Sequence, residues 1–206
     1  MPQDFPKYNS LNEVLAAIRG LTDDPLADAG TNIVISRGNP KARLLLIGEA
    51  PGPQENIKGK PFVGPAGQLL DKILQAADFN PETDIYITNS IFRMPPGEDG
   101  KSFRKPNDKE IEFYRPFVFE IIRLIDPLVI LLTGNVACQA ILQKTGITSL
   151  RGKWMELDGR WLMPIFHPSY LLRNQSREPG SPKSLMWEDV REVRRKYDEM
   201  LSQQAK

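Results

Sequence analysis

A single cysteine and a single histidine stand in this chain of 206 residues. One thiol, Cys138, cannot close an internal disulfide, and it cannot by itself hold a zinc ion or an iron–sulfur cluster. Its neighbours are apolar and helical in pattern, so Cys138 reads as a small core residue. Excess charge of one sign is also missing: 27 Lys and Arg against 26 Asp and Glu leave a net charge of +1. That excludes a globally basic DNA-coating protein and leaves room for a local basic groove, because net charge says nothing of distribution. No apolar run approaches the ~20 residues of a membrane-spanning helix, and the N-terminus lacks the basic-then-apolar layout of a secretory signal. A cytoplasmic protein with no membrane partner is expected. The phosphate-cradling patterns G-x-G-x-x-G and G-x-x-x-x-G-K-[ST] are absent. A nucleophilic Ser169 would need a base, and the only histidine, His167, lies two residues from it, so serine hydrolysis is disfavoured.

What the chain has is alternation. Residues 44–47 (LLLI) are fully apolar and read as a buried parallel strand. Gly48 ends it. Residues 48–67 then carry Pro51, Gly52, Gly59, Pro61, Gly64 and Gly67, which interrupt both strand and helix patterns, and helical spacing resumes at Leu69. Such a long irregular loop is more often functional than a plain connection. Further strands are expected at 84–89, 128–133 and 161–166, with Pro164 pointing to an edge or irregular position. Asn89 would end the second strand level with Gly48 if the two are parallel. Helices are expected at 11–18, capped by Ser10, and at 108–125, 136–143 and 184–201, with a short extended piece at 32–35. This order predicts an α/β fold: a three-layer α/β/α sandwich around a central, mainly parallel four-stranded sheet. The length suits a single domain over 1–206. Residues 92–107 form a second irregular loop carrying Arg93, Lys101, Arg104 and Lys105. It reads either as a solvated surface loop or as a phosphate-contacting one.

The strand ends carry the chemistry: Glu49 to Glu55 after the first, Asn89 on the second, His167 after the fourth. In a parallel sheet these ends share one edge, where ligands bind. An Asn amide can read the edge of a planar amide ring, and Phe62 could stack on it. A His can stabilise charge developing on a carbonyl oxygen. A carboxylate can orient water and stabilise a cationic sugar. That inventory suits hydrolysis of the N-glycosidic bond of a pyrimidine.

The stretch GEAPGPQENIKGKPFVGPAGQLL and the stretch HPSYLLR resemble the two signature motifs of the uracil-DNA glycosylase superfamily, family 4 in particular, over residues 21–195. The resemblance implies excision of uracil from DNA by a monofunctional glycosylase, acting as a monomer on uracil-containing DNA and associated with the nucleoid through it. It implies Glu55 and His167 as catalytic residues. Glu49, Ala50, Gln54, Phe62 and Asn89 would bind uracil. Ser169 and Arg173 would touch the DNA backbone, and Leu171 would fill the gap left by the flipped base. Family 4 members typically hold a [4Fe–4S] cluster on four cysteines. The matching positions here are Leu21, Asp24, Arg93 and Tyr114, which cannot ligate one. No cofactor is therefore expected, and an Asp24–Arg93 ion pair is expected to tie the N-terminal loop to the sheet. A related branch traps DNA covalently through a histidine in the loop equivalent to 92–107. This loop has none, which predicts turnover. Two other readings remain: a non-catalytic DNA-binding relative, and a hydrolase of free nucleosides, for which the segment 171–173 would have no use.

Overall fold

The computed structural model describes residues 6–99 and 102–204. Its centre is β2 (Leu44–Gly48), every residue of which is buried. Preceding it are α1 (Leu11–Arg19), with Ser10 accepting a cap bond from the Glu13 amide, and the short strand β1 (Ser36–Gly38). After β2 come α2 (Pro53–Lys58), α3 (Pro65–Ala76) and β3 (Ile85–Asn89). Then follow α4 (Asp108–Ile125), β4 (Val129–Thr133), α5 (Gly134–Leu142) and the single-turn α6 (Ile147–Leu150). The chain closes with β5 (Met155–Leu157), β6 (Arg160–Ile165), α7 (Pro168–Arg173) and α8 (Pro182–Gln204).

The six strands lie in the order β1-β3-β2-β4-β6-β5. The inner four are parallel and the two edge strands antiparallel. The parallel four are those expected; both edge strands were missed. They are three residues long and at most half-buried, too short to show a period. Extended structure falls at 36–38 rather than 32–35, although the Val34 amide still bonds to Phe92 O at 2.7 Å. Pro164 does not mark an edge strand, since β6 has a neighbour on each side. It lies past the stretch 160–162 that pairs with β5, so its missing N–H leaves no ladder bond unmade.

Although the inner strands are apolar throughout, their side chains sort by alternation. Leu45, Ile47, Tyr86, Ile130 and Leu132 join one core with α1, α4 and α5. Leu44, Leu46, Ile87, Leu131 and Met163 join the other with α3, α7 and α8. Each such side chain contributes roughly 1.5–3 kcal/mol through burial. This is the expected three-layer arrangement. The stretch 48–67 is less irregular than its composition suggests. Pro53 and Pro65 each occupy the first turn of a helix, where their missing N–H would be unpaired anyway, so α3 begins at Pro65 rather than Leu69.

Candidate active site

The parallel ladder aligns Gly48 with Asn89, the level expected from sequence. β4 ends at Thr133, and β6 ends two residues before His167, so these termini meet at one sheet edge. Over it opens a cavity of about 440 Å³, whose wall includes Glu49, Phe62, Asn89 and His167. Two further side chains hold the edge and had no sequence signal: Ser90 Oγ donates to Gly48 O at 2.7 Å, and Thr133 Oγ1 to Ile47 O at 3.2 Å.

Asn89 and Phe62 are 2% and 7% exposed. Their closeness explains Gly48: a Cβ there would lie 2.4 Å from both Asn89 Oδ1 and the Phe62 ring. Phe62 itself has φ 54°, a left-handed conformation that a bulky residue keeps only when its surroundings enforce it. Gly67 enforces it, because a Cβ there would sit 2.0 Å from Phe62 O. Arg37 of β1 braces the same stretch, donating to Pro61 O at 3.0 Å and to Asp71 at 2.5 Å. The Phe62 and His167 ring centroids lie 6.1 Å apart, with the ring planes tilted by 34°.

Glu55 lies in the wall, but its carboxylate is already engaged. Oε1 accepts the Val63 and Gly64 amides at 2.8 and 2.7 Å, and Oε2 accepts the Gly52 amide at 3.2 Å. A carboxylate holding three amides staples the loop, and Oε2, with one amide, keeps a lone pair for a further donor. Glu49 is the opposite case. Among the described residues its side chain has no hydrogen-bond partner; burial raises its pKa, with Lys105 pulling it back. Ala50 and Gln54 line the cavity beside it, Gln54 at the exposed mouth.

His167 sits at the start of α7, where the Ser169 amide donates to Nδ1 at 3.3 Å. A backbone amide can only donate, so Nδ1 is an acceptor and the ring hydrogen resides on Nε2. Ser169 Oγ, 2.8 Å away, completes the contact. Ser169, expected against the DNA backbone, directs its hydroxyl at the imidazole. Burial, with Arg173 nearby, lowers the His167 pKa to about 4, so the ring is neutral near pH 7.

Leu171 is misplaced by its motif. Its side chain is 0% exposed and packed in the core with Leu70 and Met186, so it cannot reach into DNA. The neighbouring Leu172 is 37% exposed and lines the cavity mouth, as does the exposed Arg173. The reason is helical direction: adjacent residues on α7 point about 100° apart, and the inward one faces α3 and α8. Across the mouth stand Phe103, Arg104 and Lys105, which bring the 92–107 loop to the site.

The four positions that the resemblance assigns to a metal cluster do come together, as a polar knot. Arg93 Nε donates to Asp24 Oδ2 at 2.9 Å, so the expected ion pair is present. Arg93 Nη2 reaches Leu21 O at 3.2 Å, its Nη1 reaches Thr31 O, and the Tyr114 hydroxyl donates to Asp24 Oδ1. The knot offers no thiolate, fills the space with a guanidinium, and does not fit an iron–sulfur cluster. Among the described residues, no three His, Cys, Asp or Glu side chains are grouped to hold a metal ion. No described helix is long and apolar enough to cross a membrane.

Comparison with known proteins follows the same line. The family described as the Uracil DNA glycosylase superfamily matches residues 35–191. The chain is 35% identical over 177 residues to the Type-4 uracil-DNA glycosylase of Thermotoga maritima, a match covering 84% of this chain and 89% of that one. It is 36% identical over 180 residues to the Type-4 uracil-DNA glycosylase of Archaeoglobus fulgidus, covering 82% and 87%.

Proposed function

We propose that this chain, which belongs to the uracil DNA glycosylase superfamily, excises uracil from DNA as a monofunctional glycosylase and so initiates base excision repair. A base inside a stacked duplex is out of reach of a cavity, so the nucleotide must first turn out of the helix. Phe62 then offers its ring face to the uracil, and the Asn89 amide meets the donor and acceptor on its edge. The other wall residues, Glu49, Ala50 and Gln54, complete the pocket.

As the bond between C1′ and N1 breaks, its electron pair passes to the base and spreads onto the uracil oxygen. His167 Nε2–H donates to that oxygen, and the neutral ring does so without surrendering its proton. The sugar is left as an oxocarbenium ion beside the Glu49 carboxylate. That carboxylate orients a water, which attacks C1′ and releases its proton toward Glu49. The uracil anion takes up a proton from solvent and Glu49 gives its proton back to solvent, leaving free uracil and an abasic site. Outside the pocket, Leu172 takes the wedge role and Arg173 meets the phosphates. The observation that carries this reading is the locked, neutral imidazole. A preorganised donor of this kind supplies about 2.7–4 kcal/mol of transition-state stabilisation.

The site draws on one sheet of one chain, which supports a monomer and a single domain over 1–206, working in the compartment that holds the DNA. The test is a labelled oligonucleotide with one uracil, incubated with the protein and then treated with alkali. Strand scission at the uracil is expected. Binding without scission on U·G, U·A and single-stranded substrates would place the chain among non-catalytic relatives.

A further inference from the structure

A lone exposed apolar side chain is ordinary on a protein surface. Phe103 differs in how it is held and where. It is 59% exposed at the cavity mouth, on a short ribbon in which Phe103 bridges Pro96. Gly97 N bonds to Ser102 O at 2.8 Å and Arg104 N to Pro95 O at 3.1 Å. The next side chain, Arg104, grips Glu110 through both nitrogens at 2.9 and 2.6 Å. The ring is therefore presented to solvent from a braced backbone.

Carboxylates stand nearby, Asp99 on the same ribbon accepting from Ser102 and Glu49 in the cavity wall, but the cations at the rim are not all paired with them. Arg104 is neutralised by Glu110, but Lys105 beside Phe103 and Arg173 across the mouth have no carboxylate within 4.0 Å among the described residues. Leu172 adds an aliphatic surface on the far side. An aromatic face with unpaired cations around it is the composition of surfaces that stack bases and follow a phosphate backbone. With uracil held inward against Phe62, the exposed ring of Phe103 at the mouth is open to a neighbouring nucleotide.

We propose that Phe103 is a stacking platform for the base next to the flipped uracil, and that through it the enzyme captures uracil in single-stranded DNA. This rests on the excision activity proposed above. In a duplex the neighbouring base remains stacked on its own strand and offers no free face, so the platform matters most where the complement is missing.

The test compares wild type, Phe103→Ala, Phe103→Leu and Phe103→Trp on a single-stranded uracil oligonucleotide and on its U·G duplex. For Phe103→Ala, KM on the single strand should rise about tenfold, the scale of one base–aromatic stack. It should rise less on the duplex, and kcat should stay within about twofold on both, since the ring does not touch the uracil. Phe103→Trp should restore the single-strand KM and Phe103→Leu should not. Inhibition by free uracil should be unchanged in all, showing an intact pocket. An unchanged KM in Phe103→Ala, an equal defect on both substrates, or full function in Phe103→Leu would each overturn the platform. A wild type that releases no uracil would sink the excision reading and the platform with it. Wild-type turnover alongside an unaffected Phe103→Ala sinks the platform alone.

Discussion

Arg93 and Asp24 are joined at 2.9 Å across 69 residues of sequence, with the Asp24 side chain wholly buried and Arg93 nearly so. Tyr114 closes the pair from α4, where burial and the Asp24 carboxylate raise the phenol pKa. The knot joins the segment after α1 to the start of the 92–107 loop and to α4. That loop carries Phe103 and Lys105 to the cavity mouth, so its root is set by protein contacts.

Removing one member of a buried ion pair strands the other. Asp24→Ala should therefore lower unfolding stability by about 3–5 kcal/mol, read as a shift of the urea midpoint. A loss no larger than the ~0.5 kcal/mol of an ordinary surface change would show that the knot does not hold the fold. Arg93 and Tyr114 replaced together with Asp24 by apolar residues of similar volume should cost less than Asp24→Ala alone.

The pH profile separates two groups. His167 keeps its neutral form down to about 4, so it does not set the acid limb of activity. Glu49 must be ionised to act, and burial raises its pKa, so activity should fall with acidification at Glu49 first. Glu49→Gln should cost on the order of 100-fold or more in kcat. Linkage gives it a second signature. A carboxyl whose folded pKa is raised favours folding below its unfolded pKa and loses that contribution as pH rises through the folded one. Glu49→Gln should therefore raise the Tm at neutral pH and have little effect in acid. For His167 the sign reverses: its depressed pKa stabilises above the unfolded value near 6.5 and is lost as pH falls toward 4.

Glu55 and Glu49 should be distinguishable by their amides. Glu55→Gln keeps an oxygen that can accept from Val63 and Gly64, so most of the activity should survive, with some loss of Tm. Glu55→Ala frees the loop and should raise KM. Single-turnover kinetics make the comparison: a Glu55→Gln rate as low as that of Glu49→Gln would return the chemical role to Glu55.

The two adjacent leucines should fail in different ways. Leu171→Ala opens a core cavity and should cost about 2–5 kcal/mol of stability, while the folded fraction still excises uracil. Leu172→Ala should leave the Tm nearly unchanged and slow excision from duplex about tenfold, the wedge being needed to hold the stack open. Thermal melts and duplex kinetics on the same preparations decide it.

Much of this was legible in the residues. The four inner strands announce themselves because a parallel sheet covered on both faces needs continuous apolar runs, and the Gly48–Asn89 alignment follows from where two such runs end. The Asp24–Arg93 pair could be expected because the two motif-aligned positions carry opposite charge. The short edge strands β1 and β5 could not, being too brief to show a period. Glu49 and Glu55 look alike on paper. One accepts three amides and the other accepts none, and only the folded loop distinguishes them.

By itself the sequence determined the layer order, the set of side chains at the sheet edge and the family, because apolar period and motif spacing are local properties. Tertiary structure decided where each side chain points and what it touches. It turned Leu171 inward and Leu172 outward, directed Ser169 at the imidazole, tied Glu55 to the loop and set Phe103 at the rim. A side chain's role depends on which neighbours share its hydrogen bonds and its water, and in this fold those neighbours come from distant parts of the chain.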